Sequence, residues 1–127
     1  MKFVTILGST GSIGTSTLDI IRRNPDKYGV HALVAGRNAE LLAAQVAEFR
    51  PSVVVVADDA VRAEVQERLL AQDIPHQPTL DVGRTAQEAA AAATETDILI
   101  SAIVGVAGLP ATYAAIQAGK RVGLANK

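Results

Sequence analysis

The sequence predicts an α/β fold: a doubly wound, mostly parallel sheet with helices on both faces. Three observations carry this. Short β-rich apolar runs alternate with longer segments of helical period along the whole chain. Several of those runs are apolar at consecutive positions, as strands covered on both faces are. No linker or change of composition divides the 127 residues, so one domain over residues 1–127 is expected, long enough for a single core. Strands alternating with helices imply right-handed crossovers.

Taken in order, the first run is Phe3–Leu7 (FVTIL), followed by a helix over Ile13–Arg23. That helix sets Ile13, Leu18 and Ile21 on overlapping faces, and Asn24-Pro25 stops it. The second run, Val30–Ala35 (VHALVA), leads to a helix over Ala39–Phe49 with Leu42, Val46 and Phe49 on one side, ending before Pro51. The third run, Val53–Ala57, precedes a helix over Val61–Ala71 carrying Val61, Val65 and Leu69, with Glu64 and Arg68 paired at i,i+4. Pro75–Arg84 is the least defined stretch, with an extra strand expected around Gln77–Leu80. Ala86–Thr96 (AQEAAAAATET) reads as a short helix rather than disorder, since alanine is the best helix former. The runs Asp97–Val104 and Arg121–Ala125 flank a helix over Leu109–Ala118, which closes at Gly119-Lys120, a glycine and a cation where a helix C-terminus favours both.

Composition bounds the function. Hydrophobic residues make up 49% and charged residues 20%, and the formal net charge is -1, so no general basic field exists for nucleic acid or anionic lipid. The chain has no cysteine, which excludes disulfides, thiolate metal sites and thiol nucleophiles. Phe3–Leu7 is too short for a signal peptide or membrane span, and no transit peptide is visible. A cytoplasmic, bacterial-type protein without nucleic-acid or membrane partners is expected.

The stretch Ile6–Gly14 (ILGSTGSIG) carries the first functional signal. Gly8, Gly11 and Gly14 fall between a strand and a helix that opens near Ser12 or Ile13. A helix N-terminus offers unpaired N–H groups and partial positive charge to a phosphate. Glycine permits the tight turn and close ligand approach, Gly14 permits close packing of the helix on the sheet, and Thr10 and Ser12 add hydroxyls. The spacing is G-x-x-G-x-x-G rather than G-x-G-x-x-G, so the context of strand and helix, not the pattern, supports dinucleotide binding. At the end of the second strand stand Gly36, Arg37 and Asn38, where NAD-specific domains carry an acid for the ribose 2′-hydroxyl. The absence of that acid, with a planar cation in its place, favours NADP over NAD. The bland alternative for Arg37 is a solvated loop cation.

Together ILGSTGSIGTSTLDIIRRNP, ALVAGRN, SAIVGVAGLPATYAAIQAGK and the final LANK closely resemble the N-terminal domain of the 1-deoxy-D-xylulose 5-phosphate reductoisomerase family. The match runs in order from Lys2 to Lys127 and is weakest across Ala57–Thr96. The resemblance implies a Rossmann-like NADPH-binding domain of an enzyme of non-mevalonate isoprenoid biosynthesis. Such enzymes rearrange 1-deoxy-D-xylulose 5-phosphate to an aldehyde and reduce it with NADPH to 2-C-methyl-D-erythritol 4-phosphate, a divalent Mg²⁺ or Mn²⁺ holding the substrate oxygens. Carried over by motif, Thr10, Gly11, Ser12 and Ile13 would cradle the cofactor phosphates, and Gly36, Arg37 and Asn38 the 2′-phosphate end. Many family members have lysine where this chain has Arg37. Ala102, Ile103 and Val104 would lie against the cofactor, Asn126 would contact NADPH, and Lys127 would contact the phosphorylated pentulose. The bland reading of Lys127 is a surface lysine.

In the family a glutamate follows LANK, then a catalytic and metal-binding domain and a C-terminal domain, and the full-length members are homodimers. No acidic cluster here suits a metal; Asp58-Asp59 reads as a helix cap. His31, in a strand, and His76, in a loop, read as structural or solvated, and Ser101 lacks the G-x-S-x-G elbow. No catalytic or metal-ligating residue is therefore assigned, and the chain alone is expected to bind NADPH weakly without turnover, with self-association through exposed apolar surface at the sheet edge. Two rivals stand beside this. A short-chain dehydrogenase or epimerase would need a Tyr with Lys four residues on, but Tyr28 is followed by Ala32 and Tyr113 by Gln117. A free-standing NADPH-sensing or interaction module would present the same sequence features.

Overall fold

The computed structural model describes residues 1–72, 77–102 and 109–124. Its elements follow the order β1 (Lys2–Leu7), α1 (Ser12–Arg23), β2 (Tyr28–Val34), α2 (Ala39–Phe49), β3 (Val53–Val56), α3 (Asp59–Ala71), β4 (Thr79–Val82), α4 (Arg84–Ala92), β5 (Ile98–Ser101), α5 (Leu109–Gln117) and β6 (Arg121–Leu124). The six strands form one sheet in the order β4-β3-β2-β1-β5-β6, and every pairing is parallel. The sheet is thus wholly parallel, where a mostly parallel one was expected.

Strand periodicity divides the core into two layers. Val4, Ile6, Leu33, Val54 and Val56 pack with Leu18 and Ile21 of α1, Leu42 and Val46 of α2, and Val61, Val65 and Leu69 of α3. On the opposite face Leu7, Ala32, Val34, Val55 and Leu99 meet Ala90 and Ala91 of α4 and Ala111 and Ala115 of α5. The alanine-rich segment is thereby explained: small side chains let α4 and α5 lie close to the sheet and to each other.

Several differences from the sequence reading have identifiable physical causes. Pairing of β4 begins at Thr79, not Gln77: Pro78 has no N–H to give, and Thr79 N–H donates to Ser52 O at 2.9 Å. Helix α4 starts two residues earlier than Ala86 and stops at Ala92, short of Thr96. Thr96 ends it with its side chain: the hydroxyl donates to Ala90 O at 2.8 Å and pairs with Thr5 Oγ1 at 2.8 Å, satisfying a last-turn carbonyl in the buried layer. Helix α3 begins at Asp59 because Asp58 Oδ1 accepts from Val61 N–H at 3.0 Å. At the end of α5, Gly119 adopts φ +78, with its N–H on Ile116 O and Lys120 N–H on Ala115 O, the paired bonds of a Schellman cap.

His31 has a structural explanation of its own. The β1–β2 register runs from Val4↔Val30 to Thr5↔Ala32, so β2 carries one extra residue there. His31 is that residue, a buried bulge that switches the faces of the following side chains. His76 lies outside the described residues.

A candidate dinucleotide site at the carboxyl ends of the strands

The chain runs outward from β1 to β4 and then crosses back through α4 to β5, which pairs with the other edge of β1. The switch point therefore lies between β1 and β5, and open α/β sheets bind ligands beyond the carboxyl ends of the strands at such a point. The glycine turn and Ala102 flank it. Ala102 N–H donates to Leu7 O at 2.8 Å, which seats the residue after β5 beside the turn.

The turn is fixed from within. Gly8 takes the left-handed φ of +88, and Gly8 and Ser9 N–H both donate to Val34 O, at 2.7 and 3.1 Å. Gly11 N–H then bonds Gly8 O at 3.2 Å, and Thr15 N–H bonds Gly11 O at 2.9 Å as the first rung of α1. Gly11 is the N-cap, in extended conformation and without a side chain to cap, so the N–H groups of Ser12, Ile13 and Gly14 lack helical partners. Gly11, Ser12 and Ile13 are exposed and Thr10 is half-buried. Gly14 serves a different contact from the one expected. A Cβ there would lie 2.7 Å from Ser9 Cα, 2.8 Å from Ser9 C and closer still to Gly8 O. It allows α1 to pack on the turn's backbone, not on the strands.

The end of β2 lies between this turn and the end of β3. Ala35 N–H donates to Val55 O at 2.9 Å and Ala57 N–H to Gly36 O at 3.3 Å. Gly36 has no left-handed φ, and a Cβ there would meet nothing within 4 Å. The chain's own packing does not require a glycine at that position. Asn38 caps α2, its Oδ1 accepting from Leu41 N–H at 3.1 Å. Arg37 Nη2 reaches Asp58 Oδ2 at 2.8 Å, although the arginine side chain is 71% exposed. The Asp58 carboxyl is held below the usual range, first by the Val61 N–H and then, against desolvation, by Arg37.

Sequence reasoning did not find two participants. Asp58 was legible as a cap but not as Arg37's partner, because that contact joins two loops. Gln45 was also missed. It lies on the buried stripe of α2 beside Leu42 and Val46, and donates from Nε2 to Ser9 O at 2.8 Å. A polar residue inside an otherwise apolar helix face was the available signal. Ser101, at the end of β5, is buried and accepts from Thr112 Oγ1 at 3.1 Å. Tyr28 opens β2 at the opposite end from the turn, and Tyr113 is exposed on α5, so neither supports the short-chain dehydrogenase rival. Among the described residues no group of three or more His, Cys, Asp or Glu could hold a metal ion. Ile103, Val104, Asn126 and Lys127 lie outside the described residues.

The family model of 1-deoxy-D-xylulose 5-phosphate reductoisomerase matches residues 4–127. The chain belongs to this family. It is 56% identical over 129 residues to the 1-deoxy-D-xylulose 5-phosphate reductoisomerase of Solibacter usitatus (strain Ellin6076), covering 100% of this chain and 32% of that protein. The reductoisomerase of Cupriavidus metallidurans is 50% identical over 127 residues with the same coverage. Among solved structures, a DOX-P reductoisomerase in complex with NADPH, fosmidomycin and magnesium superposes with a TM-score of 0.90 at 36% identity, over 99% of this chain and 30% of that one. The Zymomonas mobilis reductoisomerase in complex with NADPH gives a TM-score of 0.87 at 42% identity, over 98% and 32%. This chain thus spans about a third of the length of the reductoisomerases it matches. The likeness establishes the Rossmann-like fold over nearly every residue.

Proposed function

We propose that residues 1–127 are the NADPH-binding domain of a 1-deoxy-D-xylulose 5-phosphate reductoisomerase of non-mevalonate isoprenoid biosynthesis. The observation that carries this is the pairing of an uncapped helix N-terminus behind the glycine turn with Arg37 at the end of β2, where an acid would select NAD. NADPH supplies a hydride to the aldehyde formed by rearrangement of the pentulose phosphate. The chain's own residues bind and orient. The N–H groups of Ser12 and Ile13, with the Thr10 hydroxyl and the open backbone of Gly11, receive the pyrophosphate. Arg37 pairs with the 2′-phosphate, Asn38 can donate from Nδ2 while its oxygen caps α2, and Gly36 leaves the adenosine room. Ala102, and by family resemblance Ile103, Val104 and Asn126, line the cofactor, with Lys127 toward the substrate. No step is assigned to a metal ion, because the described residues contain no donor set for one.

Calorimetric titration of this chain with NADPH and NADH tests the reading. NADPH is expected to bind more tightly by about tenfold, the worth of one charge-assisted hydrogen-bonded pair. Equal affinities would remove the 2′-phosphate argument. Turnover of 1-deoxy-D-xylulose 5-phosphate by this chain alone is expected to be nil, and measurable turnover would overturn the assignment of its chemistry to residues elsewhere.

A further inference from the structure

Gln45 is 5% exposed and Ser9 is fully buried, and 36 residues of chain separate them. Their hydrogen bond joins the core face of α2 to the buried residue of the glycine turn. Three of the turn's amides are committed within the chain: Gly8 and Ser9 N–H to Val34 O, and Gly11 N–H to Gly8 O. The Ser9 carbonyl would otherwise be a buried acceptor, and the orientation of that peptide decides where Thr10 and the following N–H groups point. Two buried side-chain atoms among the described residues find no partner, Ser9 Oγ and Gln45 Oε1, and they belong to the two residues that this bond joins. An apolar side chain at position 45 would remove the Gln45 Oε1 orphan but leave Ser9 O buried without its donor, so the amide is what holds that peptide in place.

We propose that Gln45 is a positioning residue for the phosphate turn: through Ser9 O it fixes the backbone that meets the cofactor's pyrophosphate. The proposal rests on the NADPH reading above. It assigns to α2 two separate tasks, the 2′-phosphate end through Asn38 at its first turn and the pyrophosphate end through Gln45 two turns later.

The test compares two ligands on two variants. Gln45→Met keeps the length and volume but cannot donate, and Gln45→Asn keeps the amide but withdraws it by one methylene. NADPH spans the turn and the β2 end, whereas adenosine 2′-monophosphate lacks the pyrophosphate. Both variants are expected to lose on the order of tenfold in NADPH affinity, the value of one ordered hydrogen bond, while adenosine 2′-monophosphate binds as it does to the native chain. Unfolding temperatures identify whichever variant remains folded, and that one decides. Unchanged NADPH affinity overturns the proposal, and so does an equal loss for both ligands, which marks general damage to α2. A native chain that fails to prefer NADPH over NADH would overturn the underlying reading instead.

Discussion

Substituting Gly14 by alanine separates a glycine the fold requires from one it does not. The added Cβ would stand 2.7 Å from Ser9 Cα and 2.8 Å from Ser9 C, and nearer to Gly8 O. Those are backbone atoms of a turn tied to Val34 O, so they cannot swing aside as a flexible side chain would. Ordinary contact begins near 3.4 Å, so α1 and the turn would have to part by roughly 1 Å. Overpacking of this kind costs about 3 kcal/mol, and alanine's better helix propensity returns about 1 kcal/mol. A net loss of about 2 kcal/mol lowers the midpoint of a domain this size by roughly 8 °C. Gly36→Ala is the matched control: no neighbour lies within 4 Å of its Cβ, so its midpoint should hold or rise slightly. Calorimetric unfolding of both variants, followed by NADPH titration, reads the contrast. Gly14→Ala should melt early, and Gly36→Ala should melt normally but bind NADPH more weakly. A Gly14→Ala chain that melts at or above the native temperature would refute the close-approach argument.

Two further outcomes follow from the loops beside the site. Arg37→Ala should lower NADPH affinity by about tenfold and leave NADH affinity unmoved, since only the 2′-phosphate partner is lost; titration with both cofactors checks it, and a parallel loss for NADH would contradict it. Asp58→Asn keeps a side chain able to cap α3 but removes the charge. Because the folded Asp58 carboxyl sits below its ordinary value, its contribution is complete above about pH 4 and fades as pH falls through the lower folded value. The native chain should therefore be the more stable at neutral pH, with the gap to Asp58→Asn closing in acid, as followed by thermal unfolding across pH.

Most of the fold was legible because each element carries its own period and its own stop. Asn24 ends α1, the residue before Pro51 ends α2, and the Gly119-Lys120 cap closes α5 by the bonds its residue types suggest. Apart from the α3 start, set by the adjacent Asp58 cap, the boundary errors described above fall where a contact distant in sequence intervenes: Thr96 reaching across to Thr5, or the β4 register set against β3. The same distinction holds in the site. The glycine turn and Arg37 are local signals. Gln45 on Ser9 and Asp58 on Arg37 are pairings between segments: the sequence marks Gln45 as a polar residue on an apolar face and Asp58 as a cap, but names the partner of neither.

Those two pairings differ in what they do for recognition. The turn presents backbone N–H groups, which any dinucleotide's pyrophosphate can accept from, so it supplies affinity without choosing between cofactors. In the proposed reading choice falls to Arg37, and Arg37 is not an isolated cation. Asp58 holds it through Oδ2 while Oδ1 is anchored on Val61 N–H, so the carboxylate cannot turn away without uncapping α3. A 2′-phosphate arriving there meets a guanidinium already part-neutralised and a fixed negative charge beside it. Its gain is the difference between two ion pairs in a solvent-exposed setting, where such pairs are individually weak. Selectivity for NADPH should therefore be at most about tenfold rather than the far larger factor that an unpaired, buried arginine would give.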